Sequence, residues 1–266
     1  MALAAGHNAC SSLRRICRPL LLSLGRIHDR PRAAKARAGS RMATKELLGF
    51  VAAVRPFIKA SEKDVKRVRA YAKQQGRSID WPWNRFVHAF ATNGGVRHYE
   101  NNIEEFVSTT YGWAAIARAK PAERKRRLKE ATNPRWRYRN QFEKVFQRFK
   151  KAGGPSAIKK EYYALRTPQE RIAFWKGFEG IGDKYAREIP MRSYDPMFVT
   201  HFAVDARLRT FLAILFGKVP NYNASEEFFR AAAKELGVSC WALDTILFNN
   251  DKAISRDLRR RKSGRA

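Results

Sequence analysis

Two side chains able to take part in bond making stand twenty-one residues apart in the second half of this chain, Lys184 and Asp205. Lys184 follows directly on "GFEGIGD" (177–183), and Asp205 closes "HFAVD" (201–205). A lysine amine is a nucleophile once it loses its proton. In the first turn of a helix the dipole disfavours a cation, and partial burial acts in the same direction, so the pattern predicts a lowered pKa for Lys184. A carboxylate at the start of a helix can balance a developing positive charge, or it can simply cap the helix. The plain reading of Lys184 is a surface lysine on a phosphate, in a chain with 54 Lys and Arg.

The elements that must position these groups are helical. Gly180-Ile181-Gly182 separates a helix over 168–178 from a second one starting near Asp183. Thr167, Pro168 and Glu170 predict an N-cap, a first-turn proline and a capping box for the first helix. Two helices joined by a glycine turn form a helix-hairpin-helix, here over 168–190. The glycines allow positive φ and close approach of a partner. The second helix then aims free N–H groups at that partner, and a phosphate suits both the hydrogen bonds and the dipole. Ile181 packs the hairpin from within. An ordinary glycine-rich helix linker would show the same three residues.

Apolar residues recur at three- and four-residue spacing in "TKELLGFVAAVRPFI", "SEKDVKRVRAYAKQQG", "WNRFVHAFAT" (83–92) and three segments after Asp205. In "NQFEKVFQRFKKAGG" the stripe is Phe142, Val145, Phe146 and Phe149, closed by a Gly-Gly stop. "KPAERKRRLKEA" reads as a solvated helical face. No alternating strand pattern of useful length occurs, which predicts an all-α fold of roughly ten helices. A single β-hairpin has room at 93–100 or 190–204. Residues 1–41 carry nine Lys or Arg against one acid, Asp29, and read as a basic disordered arm, a transit-like extension or residues ahead of a true start at Met42. The main domain spans 43–252, and 253–266 reads as a disordered basic tail.

The formal net charge is +30, and removing the arm's +8 still leaves +22. Such a charge calls for a polyanion, and nucleic acid is the default one. The apolar fraction of 44%, with six Trp and 17 Phe, indicates a packed domain in place of a basic tail alone. Cys10, Cys17 and Cys240 form no CxxC pair and point to a reducing compartment. No run approaches the roughly 20 apolar residues of a membrane span.

"FEGIGDKYA" followed by "FAVDARLR" resembles the helix-hairpin-helix base-excision DNA glycosylases, the superfamily of endonuclease III and the 8-oxoguanine glycosylases. Their pattern is Leu-Pro-Gly-hydrophobic-Gly, one residue, a lysine in bifunctional members, then Val-Asp before a helix. Here Gly180, Ile181, Gly182 and Lys184 match, as do Val204 and Asp205, while Phe178 and Glu179 depart from the leucine and proline. The resemblance covers about residues 80–250. It implies two helical subdomains with a cleft between them and, as partner, double-stranded DNA containing a damaged base. It further implies an N-glycosylase with AP-lyase activity, with Lys184 as nucleophile and Asp205 stabilising the cationic sugar. A monofunctional glycosylase or a non-catalytic DNA-binding relative is the alternative. Three cysteines exclude a four-cysteine iron–sulfur cluster, which favours the cluster-free, 8-oxoguanine-type branch. A monovalent cation at the hairpin carbonyls is the family's option, and no catalytic metal is expected.

Further positions follow from this. Asn93, in "AFATNGGVRH", would fill the gap left by an extruded base. Arg135 and Arg137, in "RWRYRN", interleave cations with aromatics and suit phosphate contact; a solvated helix start is the equal alternative. Trp175, Phe198 and Phe202 are candidates to stack on the base, and His201 to contact base or sugar, although a structural, hydrogen-bonded histidine and core tryptophans are the plainer expectation. The protein is expected as a monomer off the membrane, in the cytoplasm or nucleoid of a bacterium, or in a mitochondrion or nucleus if 1–41 is a transit segment.

Overall fold

The computed structural model describes residues 31–92, 110–131 and 141–264, and among these every regular element is helical. The chain divides into two units, residues 1–41 and 42–266, and the site lies within the second. In chain order the α-helices are α1 (Pro31–Ala60), α2 (Glu62–Arg77), α3 (Trp83–Thr92), α4 (Trp113–Arg118), α5 (Pro121–Ala131), α6 (Phe142–Ala152) and α7 (Pro155–Ala164). Then follow α8 (Pro168–Lys176), α9 (Asp183–Met191), α10 (Ala206–Phe216), α11 (Tyr222–Glu235), α12 (Cys240–Asn249) and α13 (Asp251–Lys262).

Local chemistry explains several boundaries. The α6 stripe Phe142, Val145, Phe146 and Phe149 is buried as the spacing requires, and the helix stops at Gly153 with φ +98°. Thr167 and Glu170 form the expected capping box on α8, with Pro168 in the first turn. Asp205, Asn221 and Ser239 cap α10, α11 and α12 with their side-chain oxygens.

The buried apolar side chains gather in two clusters. One joins Phe50 and Val54 of α1 to Phe211 of α10, Phe229 of α11, Leu243 and Ile246 of α12 and Ile254 of α13. The other joins Trp83, Phe86 and Phe90 of α3 to the α6 stripe, Tyr162 of α7, Trp175 of α8 and Ile181 of the hairpin. Each fully buried Phe or Leu contributes about 1.5–3 kcal/mol relative to exposure. Helix α9 runs from one cluster to the other: Tyr185, Ala186 and Ile189 belong to the second, Met191 to the first.

Two expectations need correction. Residues 190–204 hold no β-hairpin: α9 ends there, Pro196–Phe198 form one 3-10 turn, a further turn follows, and residues 201–205 have no regular structure. The C-terminal segment is no disordered tail through 262, because Ile254 and Leu258 lie four apart and anchor α13, leaving its arginines outward. The alternative β-hairpin at 93–100 lies outside the described residues.

Candidate functional site

The hairpin is built as the glycine pattern suggests, with one difference. Phe178 N donates to Trp175 O at 3.0 Å and Ile181 N to Phe178 O at 3.1 Å, closing the turn. Gly180 sits at φ +80°, a conformation that favours glycine. Gly182, the N-cap of α9, is instead extended at φ −97°, ψ −170°. A Cβ added there would meet nothing within 4 Å. The fold itself therefore has no steric need for glycine at 182. Ile181 is buried inside the hairpin, as expected. An open groove of about 470 Å³ runs along the turn, lined by Gln141 and by residues 176–182. Its two charged lining residues are each paired, Glu179 with Lys144 at 3.3 Å and Lys176 with Asp183 at 3.0 Å, and Arg148 Nη1 donates to Gly177 O at 2.6 Å beside them.

Lys184 and Asp205 line one cleft, together with Glu188, Arg192, Arg207 and Asp244. Met191, Ala203 and Trp241 supply its apolar wall. Its enclosed space is about 10 Å³, close to the least that holds one water. Lys184, Glu188 and Arg192 reach it from one face of α9, spaced four apart. Lys184 Nζ meets Glu188 Oε2 at 2.6 Å, and Arg192 Nε lies 3.6 Å from Glu188 Oε1. Asp205 accepts from Leu208 N through Oδ1 at 2.9 Å, so its capping role is real. Its Oδ2 lies 3.3 Å from Arg207 Nη2, which also donates to Asp244 Oδ1 at 3.0 Å. Arg207 Nε and Nη1 find no acceptor among the described residues.

The sign of the Lys184 shift is opposite to the sequence expectation. Burial does act to lower its pKa, but the Glu188 carboxylate, with Tyr185 and Asp205, outweighs it and raises the value. The dipole argument fails because a full negative charge at 2.6 Å exceeds a partial charge spread over a helix end. Burial pushes the Glu188 carboxyl up, yet Lys184 and Arg192 bring it down to about 2. Burial raises Asp244, with Arg207 opposing. A second cleft, also of about 10 Å³, borders Glu188 and is lined by Arg85, His88 and Ala89 of α3 with Tyr185, Ile189 and Arg192. Burial first, then the Arg85 charge, lowers His88 to about 3.

A polar brace fixes α9 against the segment that carries Asp205. Glu226 of α11 accepts from Arg187 Nε at 2.8 Å and from Phe202 N at 3.2 Å, and lies 2.8 Å from His201 Nδ1. Tyr222 OH donates to Phe202 O and accepts from Val204 N. Trp241 Nε1 donates to Met191 O at 2.9 Å, tying α12 to the end of α9.

The structure brings together Lys184 and Asp205 but not the proposed base contacts. Trp175, Phe198 and Phe202 are fully buried core residues, and none lines the cleft. Trp175 packs in one apolar cluster, Phe198 and Phe202 in the other. His201 belongs to the Glu226 brace, the structural role that was its plainer reading. Asn93, Arg135 and Arg137 lie outside the described residues. Sequence reasoning missed Glu188, Arg192, Arg207 and Asp244. The 184/188/192 spacing signals the first two; Asp244 is a lone acid in an apolar helix. It also missed Phe248, which is 60% exposed and lies under the Arg207 guanidinium at 5.1 Å. Among the described residues no cluster of three or more His, Cys, Asp or Glu is placed to hold a metal, and no helix is long and apolar enough to cross a membrane. Compared with known proteins, the chain matches no family model, no curated protein and no solved structure.

Proposed function

We propose that this protein is a helix-hairpin-helix DNA glycosylase with AP-lyase activity, acting on a damaged base in double-stranded DNA. The observation that carries the reading is the shared cleft of Lys184 and Asp205, which begins two residues after the Gly180-Ile181-Gly182 turn. The two apolar clusters would be its two subdomains, joined through α9. The hairpin would hold a backbone phosphate while the target nucleotide is turned out of the stack, at a cost of a few kcal/mol that is least for a damaged base.

Lys184 Nζ, as the neutral amine, then bonds to C1′. The C1′–N bond breaks, and the base departs with the electron pair and takes up a proton. Ring opening gives the imine, and loss of a C2′ proton expels the 3′ phosphate by β-elimination. Asp205 stabilises the cationic sugar and relays protons. The cleft must widen for this, since it encloses only about 10 Å³ at rest. Phe248, exposed beside Arg207 of the cleft, is the aromatic proposed for stacking. The protein would work as a monomer.

Borohydride trapping on abasic and 8-oxoguanine duplexes tests the reading. A covalent adduct that is lost in Lys184→Gln supports it. A second reading, a non-catalytic DNA-binding module, is favoured by the Lys184–Glu188 ion pair at 2.6 Å. Binding without base release or adduct would establish that one, and base release without an adduct would make the protein a monofunctional glycosylase.

A further inference from the structure

The Lys184 amine is held by a carboxylate other than the one its proposed chemistry uses. Asp205 has both oxygens engaged, Oδ1 by Leu208 N and Oδ2 by Arg207, and forms no ion pair with Lys184. Glu188, one turn further along α9, meets the amine at 2.6 Å with only 14% of its side chain exposed. We propose that Glu188 is the positioning residue that decides when the Lys184 amine can react: it holds the amine as an ammonium ion against α9, and any reaction at Nζ begins by opening that pair. What the amine reacts with rests on the glycosylase reading; its restraint by Glu188 does not.

The surroundings explain why the pair is a restraint and no mere surface contact. Lys184 faces Glu188 and Tyr185 on its own helix and Asp205 at the start of α10. Glu188 faces Lys184 and Arg192 on α9 and His88 on α3, with Arg85 of α3 beside it; Arg207 of α10 and Asp244 of α12 complete the cleft. Helix α9 packs on both apolar clusters, so its backbone does not yield, and opening means rotating the Lys184 side chain. Once away from Glu188 the ammonium passes a proton to solvent, and the lone pair on Nζ is free. Lys66 and Glu62 form the same four-residue pair at 2.7 Å, but with 72% and 61% of their side chains exposed, where water screens it. Burial separates the two cases.

Competitive labelling of the full chain with trace acetic anhydride across pH 6–11 tests this. The reagent acylates neutral amines and releases acetate, and mass spectrometry reads Lys184 against Lys66 as an internal reference. Lys184 is expected to lag Lys66 about tenfold or more at pH 9, one pKa unit being tenfold in neutral amine. Glu188→Gln is expected to raise Lys184 labelling at pH 9 about tenfold, and Glu188→Asp to restore the parental profile. Equal labelling of Lys184 and Lys66 in the parent overturns the proposal, as does a rise of less than twofold in a folded Glu188→Gln protein. If Glu188→Gln fails to fold, equal parental labelling still overturns the proposal, and Glu188→Ser supplies the second variant, expected to raise Lys184 labelling as Glu188→Gln does. If labelling responds as expected but neither protein forms a borohydride adduct on abasic DNA, the glycosylase reading fails and the assignment of Glu188 stands.

Discussion

Gly182→Ala separates what the fold needs from what a DNA partner would need. At φ −97°, ψ −170° an alanine takes this backbone without strain, and its Cβ would project into open space. Two small effects on stability oppose each other. Alanine restricts the unfolded chain, worth about 0.4–1 kcal/mol in favour of folding. Alanine is also a poorer N-cap than glycine, by an amount of similar size. The net change should stay within about 1 kcal/mol, or roughly 2–4 °C in Tm for a domain of this size. Binding is another matter. A phosphate taken by the free N–H groups of α9 must come within hydrogen-bond distance of the backbone at 182, where the new methyl projects. Losing a charge-assisted hydrogen bond costs about 1.5–3 kcal/mol, roughly ten- to hundredfold in Kd. Thermal unfolding and fluorescence anisotropy on a duplex at fixed salt measure the two effects. Unchanged Tm with a tenfold or greater loss of affinity is expected. Unchanged affinity would refute the hairpin as a phosphate site, and a large loss of stability would refute the claim that the fold tolerates a side chain there.

Three other outcomes follow from named groups. Lys184→Gln should abolish any borohydride adduct on abasic DNA, with thermal unfolding reporting the variant's fold; an adduct that persists would move the nucleophile elsewhere. His88 is held neutral down to about pH 3 against an ordinary value of 6.5, so its contribution is whole above pH 6.5 and is lost as pH falls toward 3. That loss runs at about 1.4 kcal/mol per pH unit, so roughly 2 kcal/mol should vanish between pH 6.5 and 5, and His88→Gln should flatten this part of the stability–pH curve measured by denaturant unfolding. The Glu188 contribution fades between pH 4.5 and about 2 and overlaps the His88 limb below pH 4.5, so the window from pH 6.5 to 5 is the one that reports His88. Phe248→Ala should cost little stability, because the ring is 60% exposed, yet weaken base excision by about 1–3 kcal/mol if the ring stacks on a base; an unchanged kcat/KM would exclude it from the site.

What the sequence disclosed was local. The capping box at Thr167 and Glu170, the α6 stripe and the Asp205 cap each depend on residues three or four apart, and spacing alone predicts them. The cleft draws on α9, α10 and α12 at once, and no periodicity brings Arg207 and Asp244 to Lys184. The Lys184 pKa went astray for the same reason: the dipole is read from position in the helix, whereas the ion pair depends on side-chain direction and burial. For α13, the charge of "SRDLRRRK" drew attention from Ile254 and Leu258, two apolar residues that suffice to anchor it.

The charges of the cleft fit a division of labour. Lys184, Arg192 and Arg207 are matched there by Glu188, Asp205 and Asp244, so the cleft adds nothing to the net positive charge of the chain. The excess lies elsewhere, on outward faces such as the last turn of α13 with Arg259, Arg260, Arg261 and Lys262. A cationic exterior draws a polyanion from a distance and holds it in a salt-dependent way. A balanced cleft, in contrast, gives a phosphate no net attraction. If the proposed reaction at Nζ holds, a cleft as cationic as the surface would take a backbone phosphate first and keep the reacting carbon away. On the proposed glycosylase reading, Glu188 would both restrain the lysine and cancel the charge that would draw a phosphate to it.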